Sequence, residues 1–320
     1  MTAPRFASHS VGRFLPLAAV AALVPMVVAG GARSSAQVVR LIAFTRPDGI
    51  YVMHADGTDV RLLRHTGWTP WVTWSPDGRK LAYVSFSYRK HVVKGGMWVM
   101  NADGTSPTLV AKTSFEPSRP TWSPDGRRIA FAQPPGGHRL IWIVNADGTN
   151  LHQSAVPRLP PIGAAAVDWS PSGDRFAVAL GSWGPPGSGI YTTNTNGGDL
   201  QSLTLFDRQH ASGEPDWSPD GRRIVFTDAV PRKVGSVVTL EARDQEIWIM
   251  DAGGGSRVRL THNGVPDYEP AWSPDGRTIA FVGAYTGTGS AEIYAINADG
   301  TGFTRLTHNR VSEASPSWQP

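Results

Sequence analysis

A tryptophan-led segment recurs along the chain, and it constrains the fold more than any other feature. The key tryptophans are spaced 48, 47, 48, 55 and 46 residues apart. A period in the forties with several strands per unit is typical of the blades of a β-propeller. The copies read TWSPDGRKLAYVS from Thr73, TWSPDGRRIAFAQ from Thr121, DWSPSGDRFAVAL from Asp168, DWSPDGRRIVFTD from Asp216, AWSPDGRTIAFVG from Ala271, and a truncated SWQP at the end, with their tryptophans at Trp74, Trp122, Trp169, Trp217, Trp272 and Trp318.

Two further elements recur between these segments, so that each unit has four strands. Ser-Pro-Asp-Gly suits a type I turn, because proline fits its second position and glycine the left-handed position of a bulge. Asn-Ala-Asp-Gly provides the same kind of turn, and apolar alternation flanks both turns. The last element of a unit reads VRLLRHTG, VRLTHNG or TRLTHNR at its clearest, and the element before it reads GIYVMHADGT from Gly49, MWVMNADGT from Met97, IWIVNADGT from Ile141, IYTTNTNGG from Ile190, IWIMDAGGG from Ile247 and IYAINADGT from Ile293.

The strand count predicts a ring closed by the end of the chain. The first unit has a second strand (Leu41–Thr45), a third (Ile50–His54) and a fourth (Arg61–Arg64), but no tryptophan strand. The C-terminus supplies a lone tryptophan strand, Pro316–Trp318. We therefore predict an all-β, six-bladed propeller with four antiparallel strands per blade, whose first blade is completed by Pro316–Trp318; such a closure covers two open sheet edges.

The N-terminal segment has the pattern of a secretory signal. Two arginines precede an apolar run from Phe14 to Gly30, and small residues follow it. We predict a signal peptide over residues 1–36, cleaved near Ala36, with Ala32 as the other plausible cleavage point, and a propeller over residues 37–320. An uncleaved anchor is the alternative. The mature protein is then expected to be periplasmic or extracellular, without stable membrane insertion.

Composition excludes several classes of protein. The chain has no cysteine, which excludes disulfides, thiolate metal sites and a cysteine nucleophile. The formal net charge is +4, and it falls to +1 once residues 1–36 are set aside. Without a basic stripe, a nucleic-acid partner is not expected. We expect a monomer.

These repeats resemble those of TolB-type propellers, relatives of WD repeats with the pattern W-S-P-D-G-x-x-I-A-F. The resemblance covers residues 39–320 and implies a six-bladed propeller, in agreement with the strand count. In TolB a small α/β domain precedes the propeller, which docks a peptidoglycan-associated lipoprotein in the periplasm. We expect that domain to be lacking here, which departs from the TolB pattern. The same repeat also occurs in prolyl-oligopeptidase-like peptidases.

Geometry separates two ends of the predicted ring. Both short turns lie at one end, and the longer connections lie at the other, where function is more often carried. These connections are Ser87–Gly96, Gln133–Arg139, Gln153–Val167, Gly181–Gly189, Asp207–Asp216, Asp228–Gln245 and Val265–Pro270.

One sequence position should rim the central channel at the end with the longer connections. Trp71, Arg119, Glu214 and Glu269 each lie three residues before a repeat tryptophan. We predict that they form a polar funnel for a peptide or small ligand. The alternative is a channel mouth that is simply wet and polar.

Loop residues and tryptophans outside the repeat complete the candidate binding set. Trp68, Trp71 and Trp183 are expected in loops, where they would be free to contact a ligand. The repeat tryptophans, with Trp98, Trp142 and Trp248, are expected to pack structurally. The other candidate contacts in the predicted loops are Tyr88, Arg89, Lys90, His91, Arg208, His210 and Tyr268.

No sequence motif points to catalysis, so no catalytic residue, metal ligand or cofactor is predicted. A G-x-S-x-G elbow, a phosphate-binding loop and paired zinc-ligand histidines are all lacking. Calcium is an alternative for the stretch His54–Asp59, although ordinary turns explain its aspartates.

We therefore predict an exported, non-catalytic binding scaffold of the cell envelope. It would dock a protein or peptide on the loop-rich end of the propeller. The alternative is a propeller enzyme, a lyase or hydrolase on a saccharide or peptide, with its site at the channel mouth. A propeller without any ligand in its channel is a third possibility.

Overall fold

The computed structural model describes residues 40–89, 92–113, 117–133, 140–154, 164–181, 188–204, 211–229, 232–234, 237–239, 245–284 and 289–320. They belong to one compact unit, Val39–Pro320. The predicted signal segment and five candidate contacts, Lys90, His91, Trp183, Arg208 and His210, lie outside the described residues. Among those that are described, no helix is long and apolar enough to cross a membrane.

Six four-stranded antiparallel sheets form the blades of a propeller. A separate hairpin, β18 (Arg232–Val234) with β19 (Val237–Thr239), lies between the second and third strands of blade 5. From the inner to the outer strand, blade 1 is β26 (Ala314–Trp318), β1 (Leu41–Arg46), β2 (Gly49–His54) and β3 (Arg61–His65), and blade 2 is β4 (Trp68–Trp74), β5 (Lys80–Arg89), β6 (Val92–Asn101) and β7 (Thr108–Thr113). In the same order, blade 3 is β8 (Thr121–Trp122), β9 (Arg128–Gln133), β10 (Leu140–Asn145) and β11 (His152–Gln153), and blade 4 is β12 (Ala164–Trp169), β13 (Arg175–Gly181), β14 (Ser188–Asn194) and β15 (Gln201–Ser202). Blade 5 is β16 (Gly213–Trp217), β17 (Arg223–Ala229), β20 (Gln245–Asp251) and β21 (Val258–Arg259), and blade 6 is β22 (Asp267–Trp272), β23 (Thr278–Ala284), β24 (Ala291–Asn297) and β25 (Thr304–Arg305).

The predicted closure of the ring is confirmed, with a longer closing strand than expected. β26 begins at Ala314 and pairs antiparallel with β1, placing Trp318 opposite Ile42 and Ser317 opposite Ala43. The last residues of the chain therefore complete the sheet formed by its first described strands.

Side chains of the inner strands connect one blade to the next. The backbone N–H of Trp217 donates to the Asp168 carboxylate at 2.8 Å, and that of Trp272 donates to Asp216 at 2.8 Å. At the closure, the N–H of Trp74 donates to the Ser317 hydroxyl at 3.1 Å. The repeat tryptophans therefore help to join the blades, in agreement with their predicted structural role.

The apolar core is divided among the six interfaces between neighbouring blades. Each interface holds a buried cluster built from strands of the two neighbouring blades. Trp98, Trp142 and Trp248 pack against three of these clusters, as predicted. Because every blade shares its core with two neighbours, opening the ring at one interface would expose apolar surface on both sides.

The two short turns of each blade lie together at one end of the ring, which we call the turn face; the opposite end is the loop face. In blade 2 the N–H of Ala102, in the Asn-Ala-Asp-Gly turn, donates to the Arg79 carbonyl of the Ser-Pro-Asp-Gly turn at 2.8 Å. Gly78 has a φ of 65°, so this position takes the predicted left-handed conformation.

The predicted loop Ser87–Gly96 is wrong, because β5 and β6 extend through most of it as a long hairpin. Tyr88 pairs with Val93, and Arg89 pairs with Val92. The alternating aromatic and β-branched residues of this stretch suit a strand. Tyr88 and Arg89 therefore lie in β5 and not in a loop.

Asp125 stabilises the Ser-Pro-Asp-Gly turn of blade 3. Its replacement should affect the turn face and leave the loop face unchanged. Its carboxylate accepts bonds from the Ser123 hydroxyl at 2.5 Å and from the Arg127 N–H at 3.0 Å. We expect Asp125→Ala to lower the free energy of unfolding by about 1 kcal/mol, because the turn loses the carboxylate that accepts these two hydrogen bonds. Urea unfolding measures the change, and an unchanged midpoint would contradict this role.

Candidate functional site

One residue of each inner-strand segment lies at an equivalent sequence position, and in blades 5 and 6 this residue sits in a β-bulge. The position lies three residues before the repeat tryptophan, and we call it the rim position. Glu214 and Glu269 have φ values of 51° and 55°, and the strand register shifts at both. A non-glycine residue in this region is strained, and bulges re-aim side chains next to functional sites. The rim position is occupied around the ring by Trp71, Arg119, Ala166, Glu214, Glu269 and Ser315.

Four predicted funnel residues line a single cavity at the loop face. Trp71, Arg119, Glu214 and Glu269 share a cavity of about 350 Å³, a size within the range of small-ligand sites. Their predicted convergence is therefore observed, while their role in binding stays a prediction. The remaining lining residues are Ser118, Ala165, Ala166, Val167, Ala179, Gly181, Ser188, Ser212, Gly213 and Pro215.

The two rim glutamates are bonded in sequence around the channel. The Glu214 carboxylate accepts the backbone N–H of Glu269 at 2.7 Å, and the Glu269 carboxylate accepts the backbone N–H of Ser315. The Ser315 hydroxyl accepts the N–H of Val72 at 2.9 Å. Because each carboxylate is hydrogen-bonded to the backbone of a neighbouring strand, its side chain is held in place and the cavity is preorganised.

Arg119 crosses the channel from blade 3 to the opposite side of the ring. Its guanidinium donates to the backbone carbonyl of Pro270 at 3.1 Å and to that of Pro316 at 3.4 Å. The guanidinium also lies 4.0 Å from the Asp216 carboxylate. Arg119 therefore ties together blades 3, 6 and 1 through the channel.

A second, smaller chamber lies on the turn side of Arg119. This chamber measures about 200 Å³ and is surrounded by the six repeat tryptophans, with Asp168 and Asp216 beside Arg119. Arg119 borders both chambers, so it separates the loop-face cavity from the turn-side one.

Burial raises the pKa of the channel carboxyl groups, and their mutual repulsion adds to the shift. Burial and then the charge of Asp168 raise the pKa of Asp216 to about 7. Burial and then the charge of Glu214 raise the pKa of Glu269 to about 8. Burial likewise raises the pKa of Asp168 and of Glu214, although backbone hydrogen bonds and Arg119 oppose both shifts. Carboxyl groups with raised pKa values in a cleft are typical of functional sites.

Three polar groups around the cavity lack a hydrogen-bond partner within the described part of the chain. They are the hydroxyls of Ser188 and Ser212 and the indole N–H of Trp71. Ser188 is 3% exposed and Ser212 is fully buried, so neither hydroxyl is satisfied by bulk solvent. Unsatisfied buried polar groups are costly, which makes each of them notable beside a cavity.

Two tryptophans expected in loops lie instead in a strand. Trp68 and Trp71 are part of β4, where a register shift falls between them. Trp68 stays 40% exposed and packs against Phe86 with its ring tilted, whereas Trp71 lines the cavity. The bulge explains the error, because it breaks the period-two pattern by which a strand is recognised.

Tyr268 lies in β22 next to the rim and is half-buried at the interface of blades 6 and 1. Burial, then the charges of Glu269, Glu214 and Asp267, raise its pKa to about 12, so its hydroxyl stays protonated. It therefore neighbours the predicted funnel but does not line the cavity.

Sequence reasoning missed Asp168 and Asp216, which were counted only as members of the repeat. Both precede a repeat tryptophan, where other blades have Thr73, Thr121 or Ala271. A carboxylate at a channel-facing position in two of six copies was the signal available. Within the described ranges, no group of three or more His, Asp or Glu side chains is arranged to hold a metal ion.

Comparison with known proteins gives relatives for part of the chain and structural neighbours for most of it. No model of a known protein family matches the chain. It is 30% identical over 148 residues to a Protein TolB homolog of Chlorobium chlorochromatii, which covers 46% of this chain and 29% of the relative. The chain therefore spans less than a third of that relative's length.

Solved structures agree on the fold. TolB from Acinetobacter baumannii superposes with a TM-score of 0.70 at 19% identity, covering 88% of this chain and 67% of that one. An oligogalacturonate lyase from Vibrio parahaemolyticus superposes with a TM-score of 0.52 at 12% identity, covering 78% and 72%. The propeller fold of this chain is thus similar to that of a TolB and to that of an oligogalacturonate lyase. Its repeats and its structural neighbours make it a TolB-like propeller.

Proposed function

We propose that this chain is an exported, non-catalytic binding scaffold of the cell envelope. It docks a protein or peptide on its loop face, and the cavity at the channel mouth anchors one group of that partner. The signal cleaved near Ala36 delivers it to the periplasm or the exterior, where it acts as a monomer without a cofactor.

The convergence of Trp71, Arg119, Glu214 and Glu269 on one preformed cavity carries this proposal. A rigid site lowers the ordering cost of binding, and tryptophan and arginine are frequent anchors in protein interfaces. The TolB homolog and the solved TolB structure add support, since both place the same kind of repeat in TolB proteins.

Affinity capture tests this function. Mature protein from residue 37 is immobilised and crosslinked in an envelope extract of the source organism. We expect a specific partner to be captured, and we expect Trp71→Ala to reduce its recovery at least tenfold by quantitative mass spectrometry. The loss follows from removing the large aromatic contact at the cavity. The triple variant Arg119→Ala, Glu214→Ala, Glu269→Ala should lose the partner as well.

Asp125→Ala is the matched control, because it alters the turn face and leaves the loop face intact. It should capture the partner like the unchanged protein. If Trp71→Ala and the triple variant each recovered as much partner as the unchanged protein, the site would be contradicted. Fractionation should place the protein outside the cytoplasm, and N-terminal sequencing of the exported form should begin at Gln37.

A further inference from the structure

The described residues that line the cavity at the loop face include two carboxyl groups, those of Glu214 and Glu269, and one cation. Burial raises the pKa of all four channel carboxyl groups, and the charge of Arg119 opposes each of these shifts, which places that charge near each group. Of the described residues that line the cavity, Arg119 alone is basic. Arg119 therefore lies between the carboxyl groups of Glu214 and Glu269, which line this cavity, and those of Asp168 and Asp216, which border the turn-side chamber.

The hydrogen bonds of the Arg119 guanidinium go to backbone carbonyls and not to the rim glutamates. Its guanidinium donates to two proline carbonyls, and its closest carboxylate is Asp216 at 4.0 Å. Each rim glutamate instead accepts a backbone N–H from the next blade. Among the described residues, no Lys, Arg or His forms an ion pair with Glu214 or Glu269. Burial keeps such a carboxyl group protonated when no cation is near, and a positively charged occupant would favour its ionised form by pairing with it.

Independent polar groups beside the cavity fit the same kind of occupant. The buried hydroxyls of Ser188 and Ser212 are without a partner in the described structure, and their oxygens can accept hydrogen bonds. Trp71 offers an aromatic face, to which a cation is attracted. An ammonium group has three donors and no acceptor, which matches carboxylate oxygens and hydroxyl oxygens around one cavity.

We propose that the cavity binds a primary ammonium group of the docked peptide, from a lysine side chain or from the peptide's amino terminus. This inference rests on the proposed function, because it names the chemistry of the group that anchors the partner. Glu214 and Glu269 supply the negative charge, the serine hydroxyls accept further N–H donors, and Trp71 covers one side. Arg119 forms the bottom of the cavity, and its hydrogen bonds to Pro270 and Pro316 link the inner strands across the channel.

Proton release should accompany this binding. Near neutral pH the carboxyl of Glu269 is largely protonated, since its pKa is about 8, and an ammonium ion displaces that proton. The charge of Glu214 repels the ionised form of Glu269, while the backbone N–H of Ser315 and Arg119 favour it. Asp168 and Asp216 lie beyond Arg119, in the turn-side chamber. Affinity for the lysine peptide should therefore rise from pH 6 to pH 9, where a lysine ammonium is still mostly charged. An amino-terminal ammonium has an ordinary pKa of about 8, so affinity for that peptide should fall again above that pH.

Calorimetry with short peptides tests the inference on the mature chain. The probe is acetyl-Gly-Gly-Lys-Gly-Gly-amide, compared with the same peptide carrying acetyl-lysine. A third peptide, Gly-Gly-Gly-Gly-amide with a free amino terminus, separates the two sources of the ammonium. We expect saturable binding of at least one ammonium peptide, at least tenfold weaker binding of the acetyl-lysine peptide, and proton release that depends on the ionisation enthalpy of the buffer.

The paired variant Glu214→Gln with Glu269→Gln should weaken binding of the ammonium peptide at least tenfold. Glutamine keeps the size and the acceptor oxygen for the backbone N–H, so folding is preserved, which a thermal melt confirms. Asp125→Asn on the turn face is the control and should bind normally. Equal affinity for the lysine and acetyl-lysine peptides, no binding of either ammonium peptide, or an unaffected glutamine variant would each overturn the inference.

The two proposals fail separately. If capture of the partner depended on Trp71 but the glutamine variant still bound that partner, the docking function would stand and the ammonium site would be contradicted. Loss of dependence on Trp71 in the capture experiment would contradict the docking site itself.

Discussion

Deleting residues 314–320 should abolish the cooperative thermal unfolding of the propeller. The deletion removes β26, whose pairing with β1 completes blade 1. Trp318 is 9% exposed and packs with Ile42 and Phe44 at the interface of blades 6 and 1. Losing a buried tryptophan alone costs about 3–5 kcal/mol, a large part of the about 5–15 kcal/mol that stabilises a typical domain.

Hydrogen bonds at the closure add to this expected loss. The hydroxyls of Ser315 and Ser317 accept the backbone N–H groups of Val72 and Trp74, so deletion leaves the inner strand of blade 2 with two buried donors unsatisfied. Each such donor costs about 1–3 kcal/mol. Circular dichroism and calorimetry measure the transition.

Deleting Pro320 alone is the control and should leave the melting temperature nearly unchanged, because that residue lies beyond β26. A synthetic peptide of residues 311–320 added to the truncated protein should restore part of the transition by adding the missing strand. If the truncated protein melted like the intact one, the closure would not contribute to stability.

Replacing Glu269 by glutamine should stabilise the protein at pH 8 by about 2 kcal/mol, with a rise of several degrees in melting temperature. Burial and Glu214 raise the pKa of Glu269 from 4.5 to about 8, so the folded state holds a proton that the unfolded state has lost. Glutamine is neutral at every pH and can still accept the N–H of Ser315.

The direction of the pH dependence follows from that raised pKa. Below pH 4.5 both states are protonated and the contribution of Glu269 to stability is fully present. Between pH 4.5 and about 8 the folded state binds more protons than the unfolded state, so stability falls as the pH rises. Asp216, with a pKa of about 7, contributes in the same direction.

Asp125→Asn provides a control of opposite sign. The hydrogen bond from the Ser123 hydroxyl, followed by that from the Arg127 N–H, lowers the pKa of Asp125, so its contribution is present above the unfolded pKa and is lost in acid. This variant should be destabilised at pH 8. Urea titrations from pH 5 to pH 9 compare the three proteins, and a Glu269→Gln variant with the same pH slope as the unchanged protein would refute the raised pKa.

Local chemistry made the fold predictable. The spacing of Trp74 and its equivalents, together with two turns per unit, defined blades and strand order before any tertiary contact was considered. The position of Gly78 with its positive φ, and the pairing of Trp318 with β1, follow from that local pattern. The hairpin through Tyr88 and Arg89 was missed, because it departs from the length of the other copies.

The candidate site was only partly predictable. The shared position before the tryptophan brought Trp71, Arg119, Glu214 and Glu269 together correctly, since equivalent positions in a ring face the same channel. The reach of Arg119 to the carbonyls of Pro270 and Pro316 joins residues 151 and 197 positions apart, and no sequence pattern indicates it. The serine hydroxyls beside the cavity were likewise missed, because their lack of a partner depends on tertiary packing.

By itself, the amino-acid sequence determined the repeat, the turns, the number of blades and the strand that closes the ring, because each depends on local periodicity and on counting strands. Only the tertiary structure decided which carboxyl groups share the channel, where Arg119 crosses it, and which polar groups stay unpaired beside the cavity. These properties depend on burial and on distances between residues of different blades. In a low-dielectric channel, the interaction energy of two charges and the pKa of each group depend on those distances and not on position along the chain.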